Sequence, residues 1–350
     1  MSDDASRALR AWSWPGEARP RVNRDGLINQ TFVVELDGVP IAVLQRLNTT
    51  IFVPEVHEDI EAVTSRLAAV GVPTPRLLRT VDGTLWHTET DGAVWRCLTH
   101  EGDRTVHKIG VPQDAREAGS LVARFHAAVR DLRWDFRSVR AGAHDTQAHM
   151  TRLVSATEAL RGHRLYDEVA PIADEVLSRW GAWDGPTGLP RRVIHGDLKV
   201  SNVRFLGDKA HCLIDLDTMA RDTLDVELGD AMRSWCNPAS EDAVETEFDV
   251  TVFEAAMAGY GAACRQGAGP TEAEWRAVVP GVERVSLELA ARFARDALEE
   301  AYFGWNPRFG SRGDHNLLRA RGQLALARSI RSAAKQAERV IEAARRASLA

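Results

Sequence analysis

One stretch constrains this chain more than any other. Val193-Ile194-His195-Gly196-Asp197-Leu198-Lys199-Val200-Ser201-Asn202 is followed by Cys212-Leu213-Ile214-Asp215-Leu216-Asp217. The apolar lead delivers His195 and Asp197 to a loop. Asn202 follows Asp197 by five residues, and Asp215 follows it by eighteen. Between them, Val203 to Leu206, a Gly207-Asp208 turn and His211 to Ile214 predict a two-stranded hairpin. Such a hairpin returns the chain on itself and brings Asp215 back beside Asn202.

The chemistry of that set is specific. Asp197 is a carboxylate able to take a hydroxyl proton, while Asn202 and Asp215 offer oxygen donors to a hard cation such as Mg2+. Phosphoryl transfer from a magnesium nucleotide needs these groups, with this Asp-to-Asn spacing. A plain polar loop accounts for the first motif alone, but not for the second apolar strand ending in Asp215. Lys199 is placed to neutralise a transferring phosphoryl group, against the alternative of a solvated loop lysine. Asp217 is a second metal ligand or a tie that fixes the loop. His195 is expected to orient the loop. Asp230, opening a helix after Asp225-Val226-Glu227, is expected to anchor it by hydrogen bonds.

Composition narrows the setting. At 350 residues the chain is long enough for two cores, and 44% apolar with 27% charged residues is ordinary for a globular protein. A net charge of −6 gives no basic field for nucleic acid. Cys97, Cys212, Cys236 and Cys264 have neither C-x-x-C nor zinc-ligand spacing. With no apolar run of membrane length and a polar Met1-Ser2-Asp3-Asp4 start, neither a membrane span nor a signal peptide is expected, and the expected compartment is the cytoplasm.

The pattern predicts an α+β fold with a small sheet-based lobe over residues 1–98 and a larger, mostly helical lobe over 99–350. Ile28 to Leu36 and Pro40 to Leu47 alternate as strands around an Asp37-Gly38 turn. Glu55 to Val70 reads as a helix ending at Gly71, and Thr84 to Thr88 and Ala93 to Leu98 as further strands. Thr99 to Asp103 is the candidate hinge. Helical periods then recur over 113–132, 146–160, 166–183, 227–235, 245–265, 271–303 and 316–344.

In the small lobe, Arg24-Asp25-Gly26-Leu27-Ile28-Asn29-Gln30-Thr31 occupies the place of a phosphate-covering loop, with Gly26, Asn29 and Thr31 as candidate nucleotide contacts. An ordinary turn explains one glycine equally well. The strand Ile41 to Arg46 puts Gln45 where a kinase carries its phosphate-binding lysine. An amide donates hydrogen bonds but no charge, so either another cation compensates or nucleotide affinity is modest. Glu61, on the following helix, faces inward as a candidate partner for a basic group, with a solvated helix glutamate an equally good reading.

These motifs together resemble the aminoglycoside phosphotransferase and choline kinase superfamily. Within it, Asp25 to Phe32, Leu44 to Phe52, Ile214 to Thr218 and Asp314 to Arg319 are similar to N-acetylhexosamine 1-kinases. The likeness runs with gaps from about residue 22 to 345. It implies a bilobal, protein-kinase-like fold and transfer of the ATP γ-phosphate to the anomeric hydroxyl of an N-acetylhexosamine. It also implies Asp197 as the base, Asn202 and Asp215 as magnesium ligands, Lys199 as an active-site lysine, and Arg292 and Tyr302 near the sugar. Leu27 stands where that family has a histidine, and Gly196 where it has an asparagine.

Ten tryptophans and the aromatic pair Tyr302-Phe303 suit a sugar face, but equally a quaternary ammonium or simple core packing. The expected partner is therefore a small-molecule sugar, with an amino sugar, an aminoglycoside or an amino alcohol as alternatives. A catalytically silent kinase-fold binding protein is a third reading, opposed by the intact Asp197, Asn202 and Asp215.

Overall fold

The computed structural model describes residues 2–23, 28–140, 142–239, 241–264 and 269–349. The chain divides into two compact units. The first comprises residues 1–105, 124–139 and 202–221, and the second 106–123, 140–201 and 222–350. The fold class is the expected one, a sheet-based unit and a larger, mostly helical one.

The first unit holds an antiparallel sheet of order β1-β2-β3-β5-β4, formed by β1 (Ala18–Asn23), β2 (Gln30–Leu36), β3 (Val39–Arg46), β4 (His87–Thr88) and β5 (Val94–Thr99). Asp37 and Gly38 turn between β2 and β3 with φ of 51° and 80°, the two positive values that a tight hairpin needs. Phe32, Val34, Ala42, Leu44, Trp95 and Cys97 pack one side of this sheet against Ala5, Ala8, Leu9 and Trp12. Helix α1 (Ser2–Ala8) and β1 thus belong to the unit, although the sequence predicts no element there. A seven-residue helix is too short to show a period, and β1 is an edge strand carrying Pro20 and arginines in place of apolar alternation.

The opposite side presents Thr31, Gln45 and Arg96 in one row, since Thr31 pairs with Gln45 and Gln45 with Arg96 in the strand register. Helix α2 (Val56–Ala69) forms where expected and buries Val56, Ile60, Val63 and Leu67. Its Asp59 accepts the N–H groups of Arg137 and Ser138 and the indole N–H of Trp134, at 2.8–3.0 Å. The strand expected at Thr84 begins only at His87, because Thr80 and Thr84 close a turn through backbone and side chain. A small second sheet joins β6 (Arg104–Thr105) to the hairpin of β8 (Val203–Leu206) and β9 (Lys209–Leu213).

The second unit contains the start of α3 (Pro112–Val129), then α4 (Thr146–Ala159), α5 (Tyr166–Gly181), strand β7 (Arg192–Ile194), α6 (Leu224–Trp235), α7 (Val250–Ala263), α8 (Glu272–Glu299) and α9 (Arg312–Leu349). Met150, Leu153, Val169, Val176, Leu287, Phe293 and Leu324 are among its core residues. Helices α6 and α8 meet backbone to backbone. A Cβ on Gly229 would lie 2.6 Å from the Gly281 carbonyl oxygen, and one on Gly281 would lie 2.2 Å from that of Asp225. Helix α8 opens with a capping box of Thr271 and Glu274. It stops four residues short of the predicted Phe303, because the Asp296 carboxylate accepts the N–H groups of Ala301, Tyr302 and Phe303 and turns the chain out. Among the described residues, no helix is long and apolar enough to cross a membrane.

Candidate functional site

The hairpin of β8 and β9 does what the sequence requires of it. Gly207 turns at φ 57°, and the Ile214 N–H donates to the Asn202 carbonyl at 2.9 Å. Asn202 is buried and Asp215, next along from Ile214, is half-buried. Asp215 lies in the left-handed region, with φ 64° and ψ 55°, which costs a residue with a side chain about 1–2 kcal/mol. Among the described residues there is no group of three or more His, Cys, Asp or Glu able to hold a metal. An amide and a carboxylate, both oxygen donors, fit a different kind of site, in which Mg2+ keeps waters and phosphate oxygens as its other ligands.

Asp217 has both oxygens engaged. Arg96 grips them in a two-pronged ion pair, Nη1 to Oδ1 and Nη2 to Oδ2, the latter at 2.7 Å. The Asn29 side-chain N–H donates to Oδ2 at 2.8 Å. Arg96 and Asp217 are 2% and 1% exposed. Burial works to discharge Arg96, but the charges of Asp217 and Asp215 more than offset it and its pKa lies above the ordinary value. Burial likewise opposes the Asp217 charge, and Arg96 overrides it and holds that pKa below the ordinary value.

The candidate nucleotide contacts belong to the same network. Asn29 accepts the Asn48 N–H at 2.9 Å, Gln45 donates to the Thr31 hydroxyl at 3.1 Å, and Arg96 Nε donates to Gln45 Oε1 at 2.9 Å. Gly26 lies outside the described residues. Arg96 escapes sequence reading because its strand is a buried apolar run in which an arginine looks out of place. Glu61 pairs with two basic groups, Arg76 and Arg79, at 3.5 and 3.7 Å.

In the second unit, β7 leads into His195, which is fully buried, and then Gly196 at φ 78°. That backbone suits glycine, and asparagine next best. Glu227 accepts the N–H of His195 at 2.8 Å and that of Gly196 at 3.0 Å. Asp230, expected in this anchoring role, pairs instead with Arg233 at 2.9 Å. The reason is position along the axis, since residues three apart share a helix face: Glu227 stands in the first turn of α6, within reach of the loop N–H groups, and Asp230 lies nearly one turn further along. The Asp197 N–H donates to His195 Nδ1 at 3.3 Å, and the Trp235 indole N–H to the Leu198 carbonyl at 2.6 Å. Lys199 Nζ lies 2.7 Å from Asp197 Oδ2, so the carboxylate and ammonium predicted from the motif meet.

Arg292 and Tyr302 also come together. The Arg292 guanidinium lies 5.9 Å from the centre of the Tyr302 ring and 5.4 Å from that of Phe303. Arg140 donates to the Tyr302 hydroxyl at 3.0 Å. One turn before Arg292 on α8, Glu288 accepts from Thr146 at 2.6 Å, contacts His144 Nδ1 at 3.1 Å and lies 3.8 Å from Arg292. Burial lowers the His144 pKa, but the Glu288 hydrogen bond and charge outweigh it and the net shift is upward. Glu288, His144 and Arg140 carry no sequence motif.

A small antiparallel sheet, a helical unit and a loop-plus-hairpin carrying Asp197, Asn202 and Asp215 define a kinase-like phosphotransferase architecture. The chain belongs to the APH phosphotransferase enzyme family, which residues 20–265 match. A homoserine kinase of Bradyrhizobium sp. is 29% identical over 205 residues, 56% of this chain and 56% of its own length. The chain thus spans about half the length of that relative. An aminoglycoside phosphotransferase from Alicyclobacillus acidocaldarius has the same fold, with a TM-score of 0.62 at 16% identity over 94% of this chain and 96% of its own. A microcompartment-associated aminopropanol kinase gives 0.59 at 18% identity, over 95% and 98%.

Proposed function

We propose that this protein is an ATP- and Mg2+-dependent kinase of a small hydroxyl compound. The observation that carries the reading is the oxygen-donor pair Asn202 and Asp215, set side by side by one hairpin directly downstream of Asp197. Asn202 and Asp215 hold the metal, which when bound neutralises charge on the nucleotide phosphates. Asp217, its oxygens committed to Arg96 and Asn29, fixes the loop. Asn29, Thr31 and Gln45 form the nucleotide wall, and Gly26 remains a candidate contact from the sequence alone. Asp197 accepts the acceptor's hydroxyl proton. Lys199, 2.7 Å from that carboxylate, faces the transferring phosphoryl group.

The acceptor is a small polar molecule, neither nucleic acid nor membrane. An N-acetylhexosamine phosphorylated on its anomeric oxygen is the first reading, supported by Arg292 beside the Tyr302 and Phe303 rings, which suits a sugar's hydroxyls and C–H face. The similarity to a homoserine kinase supports a second, an amino-alcohol acceptor. ADP release measured over N-acetylhexosamines, aminoglycosides, choline and homoserine separates them, with phosphorus–proton coupling locating the phosphate. Turnover of homoserine alone would remove the sugar reading. No Mg2+-dependent ADP release with any hydroxyl compound would remove the kinase assignment.

A further inference from the structure

We propose that Arg96 is the positioning residue that carries, one strand over, the charge missing from β3, and that through Asp217 it aims the Asp215 carboxylate at the metal. The inference rests on the proposed role of Asn202 and Asp215. Position 45 carries an amide where a kinase has a lysine, yet a cation is present immediately beside it. Arg96 is the register partner of Gln45, on the same face because paired residues on neighbouring strands point the same way. Its Nε donates to Gln45, and its two terminal nitrogens take both oxygens of Asp217.

The clamp sits where a backbone needs holding. Asp215 adopts a left-handed conformation unfavourable for a residue with a side chain, and Asp217 lies two residues on. Its carboxylate is fixed from two strands at once, by Arg96 of β5 and, beside the start of β2, by Asn29. Asn29 in turn accepts the Asn48 N–H just past the end of β3. Thr31, Gln45, Arg96 and Asp217 therefore form a continuous line from the sheet to the metal-binding turn. A lysine at 45 would put a second cation against Arg96, which accounts for the glutamine. The helix glutamate that pairs with such a lysine in the kinase template is here released to Arg76 and Arg79.

A pair retained only for stability predicts a different outcome from a pair that positions a metal ligand. Replacing both members of a buried ion pair by apolar residues is generally tolerated by the fold, whereas removing one strands a charge. The test therefore uses Arg96→Lys, which keeps the charge but loses the fork, and the double variant R96M/D217L, which buries no unpaired charge. Calorimetric binding of ADP is measured in the presence and absence of Mg2+ on the full chain, together with thermal midpoints and turnover.

In both variants the Mg2+-dependent gain in ADP affinity should fall at least tenfold, with ADP binding without Mg2+ unchanged in Arg96→Lys, which keeps the charge. The double variant should melt close to wild type and lose at least a hundredfold in turnover. A wild-type Mg2+ dependence in either variant would overturn the proposal and leave Arg96 a stabilising pair. A wild-type protein whose ADP binding ignores Mg2+ would instead overturn the function proposed for Asn202 and Asp215.

Discussion

Glu227 places one carboxylate oxygen on the N–H of His195 and the other on the N–H of Gly196, at 2.8 and 3.0 Å. It is 1% exposed, in the first turn of α6, and α6 is locked onto α8 at Gly229 and Gly281. The loop bearing Asp197 thus hangs from a helix that cannot shift without separating two backbones. Glu227→Gln turns one accepting oxygen into a donor facing an N–H. A buried unpaired backbone group costs about 1–3 kcal/mol. The expected outcome is a lowered thermal midpoint and a turnover loss of roughly tenfold or more. A variant with wild-type turnover and stability would show that the loop holds its shape without this carboxylate.

Asp197→Asn keeps the shape of the loop residue and deletes its basicity. General-base contributions are typically ~10²–10⁴-fold, so turnover should fall in that range while Mg2+-dependent ADP binding stays intact. Retention of more than about a third of wild-type turnover at saturating substrates would exclude Asp197 as the base.

The legible parts of this molecule are those where local chemistry and function coincide. The Asp37-Gly38 and Gly207-Asp208 turns, the apolar stripe of α2 and the spacing of Asp197, Asn202 and Asp215 can all be read from neighbours in sequence. Arg96 could not, because its meaning depends on Asp217, 121 residues away. Glu227 cannot be told from Asp230 in the sequence, because two acids three residues apart share a helix face and only the level at which the loop meets α6 separates them. Glu288 and His144 meet across 144 residues, and neither segment announces the other. Non-local charge pairing is what the sequence conceals.

His57 makes stability depend on pH. It is buried, its Nδ1 lies 2.6 Å from the Pro54 carbonyl oxygen, and its ring stacks on Trp86 at 5.2 Å between centres. Burial first, and then the charge of Arg96, push its pKa from 6.5 to about 3. The folded value lies below the unfolded one, so between them the unfolded chain binds the extra proton. The contribution to stability is complete above pH 6.5 and is lost as pH falls toward about 3. At ~1.36 kcal/mol per pKa unit, it amounts to something on the order of 3–5 kcal/mol. His57→Phe keeps an aromatic ring over Trp86 and removes the titration. Urea unfolding between pH 7.5 and 4.5 should show a smaller loss of stability in the variant than in wild type. Parallel slopes would mean that other groups drive the acid sensitivity.

Arg292 provides the sharpest test of the acceptor side. Its guanidinium lies over the Tyr302 and Phe303 rings and 3.8 Å from Glu288, and it is 16% exposed, enough to reach a ligand while staying braced. If it donates to a hydroxyl or an N-acyl oxygen of the acceptor, Arg292→Ala removes that contact and leaves the nucleotide side untouched. An unpaired polar group in the complex costs about 1–3 kcal/mol, so the acceptor Michaelis constant should rise roughly tenfold or more. The constant for ATP should move less than about twofold, because Arg292 sits in the helical unit while the proposed nucleotide wall sits on the sheet. Arg292→Lys should recover only part of the loss, since a point charge replaces a planar fork that stacks on two rings. Steady-state kinetics with each substrate varied in turn decide the matter. Equal increases in both constants would assign Arg292 to the integrity of α8, and an acceptor constant unchanged in Arg292→Ala would remove it from the acceptor site.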